Sequence, residues 1–408
     1  MHCLIFIFIT LSLLLPAPSQ GSEPTHPPPP LFDIDSLMEN AASHGLIAGG
    51  VVLIGSRRGA TFLRAYGRMS ADPSAPPMRT DAIFDVASLT KVVATTPALM
   101  KLMEAGKIQV TEPLAVWFPE FGTEEKRGVL LLHLLTHTSG MEDFPLTLPD
   151  PLRQAVEGGA ARPLKGEIGS SFCYADLNFI LLGELVRRAS GVGLERYCAG
   201  QLYQPLGMVD TFFVPPARVR SRLSPTLLPD GKLLTGEPQD YHARELGGVA
   251  GHAGLFSTAA DLARFCRMLM YGGELDGRRV LAERTVAQMT APRYVQGGKV
   301  TRALGWDISS PYSAPRAHGF SEFSYGHTGY SGTSLWIDPE RDLFVVLLTA
   351  RLDFRRVGEF NRLRREISTI AITGRGVTPV GVAPHPSYSP ALPGSPAALS
   401  PAGFGQKS

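Results

Sequence analysis

Two pairs of apolar, β-rich runs lie at opposite ends of this 408-residue chain, and that separation limits what it can fold into. Near the start, Val51-Val52-Leu53-Ile54 and Thr61-Phe62-Leu63-Arg64-Ala65-Tyr66 flank the turn Arg57-Arg58-Gly59, so residues 49–67 read as a hairpin. Near the end, residues 331–337 and 343–349 flank the turn Asp338-Pro339-Glu340-Arg341-Asp342. Helical patterns fill the space between. They include residues 130–135, 178–189 and 261–271, and a last amphipathic helix follows at 355–372. A first helix is expected over 34–42, with Asp35 as its cap. The pattern predicts an α+β fold. One antiparallel sheet is assembled from both ends and flanked by helices, and an all-helical lobe of roughly residues 105–245 bulges from it.

The extremities differ from this body. Residues 4–15 are an apolar run, followed by the small residues Ala17, Ser19 and Gly21. That run is short for a bilayer and reads as a secretory signal over 1–21, although its start lacks lysine and arginine. Secretion or a periplasmic location follows, with no stable membrane insertion once the signal is cleaved. Residues 22–34 form a Pro-rich linker, 35–375 the folded domain, and 376–408 a Pro/Ser/Ala/Gly-rich tail expected to be disordered. Lys+Arg 39 against Asp+Glu 37 leaves a net charge of +2, which offers nucleic acid no electrostatic footprint. Outside the signal, Cys173, Cys198 and Cys266 are an odd number with no metal-ligand spacing, so no disulfide framework is expected.

Three short motifs carry chemistry. Phe84-Asp85-Val86-Ala87-Ser88-Leu89-Thr90-Lys91 contains Ser88 and Lys91 three apart at the start of an apolar-periodic run. On a helix that spacing brings the amine to the hydroxyl. A lysine can activate a serine if its pKa is lowered towards neutrality, and the rate would then fall as pH drops through that pKa. Cys173-Tyr174-Ala175-Asp176-Leu177-Asn178 precedes a helix, and a tyrosine there can pass a proton to a leaving group. Gly326-His327-Thr328-Gly329-Tyr330 precedes the late β-run, where glycine permits close backbone approach and N–H groups can hold an oxyanion. In Leu134-Leu135-Thr136-His137-Thr138-Ser139-Gly140, His137 is read as part of a helix-ending turn rather than as a base.

In order and spacing, these motifs resemble the serine β-lactamase-related hydrolases, in particular the class C β-lactamase, D-aminopeptidase and penicillin-binding-protein branch. The resemblance covers roughly residues 35–370. It implies a β-lactamase/DD-peptidase-like fold with the site between sheet and helical lobe. It also implies that Ser88 forms an acyl-enzyme, that Lys91 and Tyr174 share the proton handling with the base unassigned, and that the N–H groups of Ser88 and Tyr330 form the oxyanion hole. Asp176, His327, Thr328 and Gly329 would line the substrate, and no metal or organic cofactor is implied.

Two residues depart from that pattern. Asp176 stands where the family has asparagine, and His327 stands where class C enzymes have lysine. An ionised aspartate only accepts hydrogen bonds, and a neutral histidine lacks the lysine's charge. Both changes move the expectation from anionic β-lactams towards D-amino-acid or cell-wall peptides and amides, with carboxylesterase or β-lactamase activity as the alternatives. Asp176 either meets a cationic substrate group or pairs internally with Lys91 or Lys165. A non-catalytic binding or sensing module, and a structural surface protein, are the competing classes. The expected partner is a small-molecule or peptide substrate; oligomeric state is not encoded in any motif.

Overall fold

The computed structural model describes residues 33–374, except positions 229, 298 and 299. The expected signal, most of the Pro-rich linker and the 376–408 tail lie outside the described residues. An eight-stranded sheet organises the rest, and every pairing in it is antiparallel. In spatial order the strands are Tyr294–Gln296, Val300–Arg302, Asp307–Ser309, Tyr325–Thr328, Ser334–Asp338, Leu343–Arg351, Ile47–Ser56 and Gly59–Gly67. The two ends therefore meet where Ile47–Ser56 pairs with Leu343–Arg351, with Val52 opposite Leu347 and Ile54 opposite Val345.

Period-two alternation sorts the side chains of these strands. Val52, Ile54, Val345 and Leu347 pack against Met38, Leu363 and Ile367 from helices Ile34–Ser43 and Val357–Thr373. Val51, Leu53, Val346 and Leu348 turn the other way, onto Leu262 and Phe265 of helix Ala259–Met270. Helices thus cover both faces, which is why Leu343–Arg351 is buried at all nine positions.

The middle of the chain is a helix-rich lobe with short strands inside it. Phe212–Phe213 adds to a three-stranded sheet with Phe84–Asp85 and Leu255–Ser257, while Thr226–Leu227 pairs with Leu233–Leu234. Helix Pro151–Ala161 arises in a stretch whose prolines and glycines hid it from pattern reading; Asp150 caps it, and Pro151 takes the first-turn position that tolerates proline. Cys173, Cys198 and Cys266 are free thiols.

Three sequence expectations shift. The first helix is capped by Asp33, whose Oδ1 accepts the Ser36 N–H at 2.7 Å, not by Asp35. Asp35 instead accepts from Tyr66 Oη at 2.6 Å and pairs with Arg64 on the second strand. The late β-run begins at Ser334 rather than Ser331, because Gly332 at φ +111° bends the chain before it. Four sheet strands between residues 294 and 328 carry no apolar run and are visible only as ladder partners.

Candidate active site

Ser88 lies on one 3-10 turn, Ala87–Leu89, directly after the short strand Phe84–Asp85. Ala87 is held at φ +47°, a conformation that costs a residue with a Cβ about 1–2 kcal/mol. The carboxylate of Asp85 secures it. One oxygen accepts the Ala87 N–H at 2.8 Å, and the other accepts the Gln239 N–H at 2.7 Å. Burial pushes the Asp85 carboxyl up to about 6. After Ser88 the backbone runs through a π-helical turn, Lys91–Thr95, into α-helix Thr96–Glu104. The expected plain α-helical start is therefore absent, yet the two side chains still meet, with Lys91 Nζ 3.1 Å from Ser88 Oγ.

Lys91 is fully buried and has three hydrogens to donate. It has three acceptors: Ser88 Oγ at 3.1 Å, Asp176 Oδ1 at 2.6 Å and the His252 carbonyl at 3.1 Å. Burial alone would strip its proton, but the Asp176 carboxylate more than reverses that, and its pKa is raised. The geometry therefore gives a saturated ammonium, not the lysine lowered towards neutrality that a simple base requires. Asp176 pairs internally with Lys91 while still lining the cavity, and Lys165 pairs with Glu142.

Tyr174 comes from the segment before helix Asp176–Ser190, and its ring centroid lies 5.1 Å from Lys91 Nζ. The residue is half-buried and lines the cavity, with its hydroxyl beside Lys91 and Ser88. Burial outweighs the nearby ammonium, so the phenol is raised and keeps its proton. The helix itself starts without a cap of its own. Asp143 supplies one from a distance, accepting the N–H groups of Asp176 at 3.0 Å and Leu177 at 2.8 Å. No local S/T/D/N signal marked that cap, since it arrives from another loop.

The third motif closes the site. His327 sits on strand Tyr325–Thr328, and its Nδ1 donates to the Thr328 carbonyl at 2.9 Å. A carbonyl only accepts, so Nε2 is left as a buried acceptor with no partner among the described residues. Burial, with Arg302 and Lys91 adding to it, holds His327 well below its usual pKa. Gly329 is required by proximity: a Cβ there would meet the Val86 carbonyl oxygen at 2.6 Å. The following loop is stitched to the segment before Ser88 by Ser331 Oγ to the Asp85 carbonyl at 2.7 Å and Thr333 Oγ1 to the Val86 carbonyl at 3.0 Å. Arg364 holds it from outside, donating to the carbonyls of Gly329 at 2.8 Å and Thr333 at 2.6 Å. All the predicted site residues except Lys91, which lies just behind the wall, line one cavity of about 800 Å³. Tyr330 stands exposed at its mouth.

Several contributors were not visible in sequence. His252 belongs to the Gly-rich loop 247–254; its carbonyl reaches Lys91, and its ring Nε2 is 2.7 Å from Asp240 Oδ1. His137, read as a turn residue, is completely buried with its ring against Tyr174. Among the described residues, Asp176, Asp240 and His252 bring ligand-type atoms within 4.8 Å of one another. Within that group Asp176 is paired with Lys91, and Asp240 with the His252 ring.

Comparison with known proteins adds a family context. A family model described as Beta-lactamase matches residues 35–368. An N-acetylmuramyl-L-alanine amidase of Bacillus subtilis (strain 168) is 31% identical over 307 residues, covering 67% of this chain and 68% of that protein. Among solved structures, EstCE1, a hydrolase with promiscuous acyltransferase activity, superposes with TM-score 0.66 at 21% identity, covering 82% of this chain and 97% of the other. The octameric penicillin-binding protein homologue from Pyrococcus abyssi gives TM-score 0.66 at 20% identity, over 84% of this chain and 77% of that one.

Proposed function

The chain belongs to the beta-lactamase family and is a serine hydrolase, and from that premise we propose that it cleaves amide bonds of D-amino-acid or cell-wall peptides through an acyl-enzyme on Ser88. The observation that carries this reading is the three-way meeting of Ser88, Lys91 and Tyr174. Lys91 Nζ lies 3.1 Å from Ser88 Oγ, and the phenol is enclosed beside both.

A mechanism follows from the proton inventory. Lys91 has no lone pair to offer in this arrangement, and Tyr174 keeps its proton. Ser88 Oγ attacks the carbonyl carbon and a C–O bond forms. The carbonyl π electrons move onto oxygen, facing the N–H groups of Ser88 and Tyr330. The serine proton passes to the Tyr174 oxygen while the phenolic proton passes to the leaving nitrogen, so the phenol relays one proton without becoming a phenolate. The C–N bond then breaks and the amine departs. Water reverses the relay: it attacks the ester carbon and gives its proton to Tyr174, the bond from that carbon to Ser88 Oγ breaks, and the Tyr174 proton returns to Ser88 Oγ. The Lys91 cation stabilises the oxygen atoms through which the proton moves.

The choice of amides rests on the two departures from the family pattern. Asp176 cancels the charge of Lys91, and His327 replaces a cation with a neutral acceptor, so neither attracts the carboxylate of a β-lactam. The amidase relative supports the same substrate class. Secretion is part of the proposal, supported by the apolar run at residues 4–15. Among the described residues, no helix is long and apolar enough to cross a membrane.

The test is labelling by a fluorescent acylating probe, followed by mass spectrometry of the trapped adduct. Cell-wall fragments, D-amino-acid amides and short-chain esters are offered in parallel. Labelling lost in Ser88→Ala, with adducts from the amide series, is the expected result. Adducts from esters alone would move the activity to a carboxylesterase. A native protein that no acyl probe labels would be a binding module instead.

A further inference from the structure

We propose that His137 is a positioning residue that locks the Tyr174 phenol into its place beside Ser88 and Lys91. The inference rests on the acyl-enzyme reading for its consequence but on separate contacts for its evidence. His137 grips the tyrosine from three sides. Its backbone carbonyl accepts the Cys173 N–H at 2.9 Å, on the residue before Tyr174. Its ring Nδ1 accepts the Ala175 N–H at 3.3 Å, on the residue after. Its ring then lies flat against the Tyr174 ring, centroids 4.2 Å apart and planes at 23°. Tyr312 adds a tilted contact at 4.7 Å, and Lys91 Nζ stands 5.1 Å from the same ring. The phenol therefore has little freedom to rotate away from the serine.

The local backbone supports the assignment. His137 is fully buried at φ +57°, a conformation uncommon for a residue with a Cβ. A residue serving only to end the helix is usually glycine there, sometimes asparagine. Gly140, three residues on, supplies positive φ without strain. The strain at 137 is retained where a particular side chain is needed. The tautomer follows from the contacts. Since Nδ1 accepts from a backbone N–H, the proton resides on Nε2, which is buried with no partner among the described residues. Burial is the main reason the ring stays neutral, with the cations Arg302 and Lys91 adding to it. A neutral ring can stack on the phenol without adding a second positive charge beside Lys91. Phe172 and Phe179 close the remaining sides of the imidazole with aromatic contacts at 6.4 and 5.2 Å. The platform is thus anchored to the core while its face carries the tyrosine.

The experiment is a double-mutant cycle with His137→Asn and Tyr174→Phe. Asparagine tolerates positive φ and loses the stacked ring. With Tyr174 present, His137→Asn is expected to lower kcat about 10- to 100-fold with little change in KM, the scale of a misplaced catalytic group. In the Tyr174→Phe background the same change is expected to cost less than about twofold, because the residue acts through the phenol. Equal losses in both backgrounds, or no loss in either, would overturn the proposal. A second reading does not depend on turnover. The ultraviolet titration of Tyr174, isolated as the difference from each Tyr174→Phe counterpart, is expected to move down in pH once water reaches the uncovered ring face. An unmoved titration would count against the lock even if the hydrolase reading itself failed in the labelling test. Should His137→Asn not fold, His137→Phe keeps a ring over Tyr174 and is run through the same cycle. It keeps the stack but loses the Nδ1 acceptor for the Ala175 N–H, so its loss of rate is expected to stay well below that of Tyr174→Phe, and a loss matching that of Tyr174→Phe alone would refute the stacking contribution.

Discussion

Replacing Asp176 with asparagine restores the family's usual residue, yet it should destabilise this protein. In the native chain the Asp176 carboxylate lies 2.6 Å from a lysine that is 0% exposed, while the aspartate side chain itself is 26% exposed. At that distance the Coulomb attraction is about 6 kcal/mol for an effective dielectric of about 20, an upper bound before solvent reaches the aspartate. Removing one partner of a buried pair typically costs about 3–5 kcal/mol, and the asparagine carbonyl still accepts one hydrogen bond, so a loss near 3 kcal/mol is expected at pH 7. The pH dependence supplies the sharper test. In the native protein Lys91 holds its proton more tightly folded than unfolded. That contribution is complete below the ordinary lysine range and is lost only as pH climbs through the raised value. In Asp176→Asn the order inverts, because burial, the largest influence on Lys91, is no longer opposed by the carboxylate. The unfolded chain then binds more protons than the folded one, and the variant's stability rises with pH. Urea unfolding at about pH 6.5 and about pH 9.5 should show the gap between native and variant narrowing by at least about 1 kcal/mol. A gap that stays constant, or a variant as stable as the native protein at neutral pH, would refute the claim that Lys91 is an ammonium held by Asp176.

Two further outcomes are expected. Asp143→Ala removes both acceptors at the start of helix Asp176–Ser190 and should lower stability by about 1–2 kcal/mol, read as a fall in thermal midpoint. Asp85 has a folded pKa of about 6, above the value it takes unfolded, so it contributes stability that is full below about pH 4 and fades as pH rises through about 6. Relative to Asp85→Asn, the native protein should gain up to about 3 kcal/mol on acidification from about pH 7 to about pH 4; a flat difference across that window would refute the assignment.

Much of the site could be read from the chain because its elements are local. Ser88 and Lys91 are three residues apart and share one turn whether that turn is α, 3-10 or π. The hairpin around Arg57-Arg58 and the last helix follow from residue periodicity, and both appear where the pattern puts them, to within two residues. The four strands between residues 294 and 328 could not be read in this way. They are three or four residues long, and their stability comes from ladder partners rather than from an apolar run of their own.

The sequence by itself determined which hydroxyl, amine and phenol the candidate site carries, and that the chain's two ends build one sheet, because hydrophobic period and residue chemistry are properties of the chain. Only the tertiary structure decided their ionisation and their supports. Asp176, read either as a contact for substrate or as a partner of Lys91 or Lys165, is bound to Lys91 85 residues away, and His137, read as the end of a helix, is the surface on which Tyr174 rests. Charge and orientation in a buried site depend on what lies within a few ångströms, and no order of residues along a chain specifies that distance.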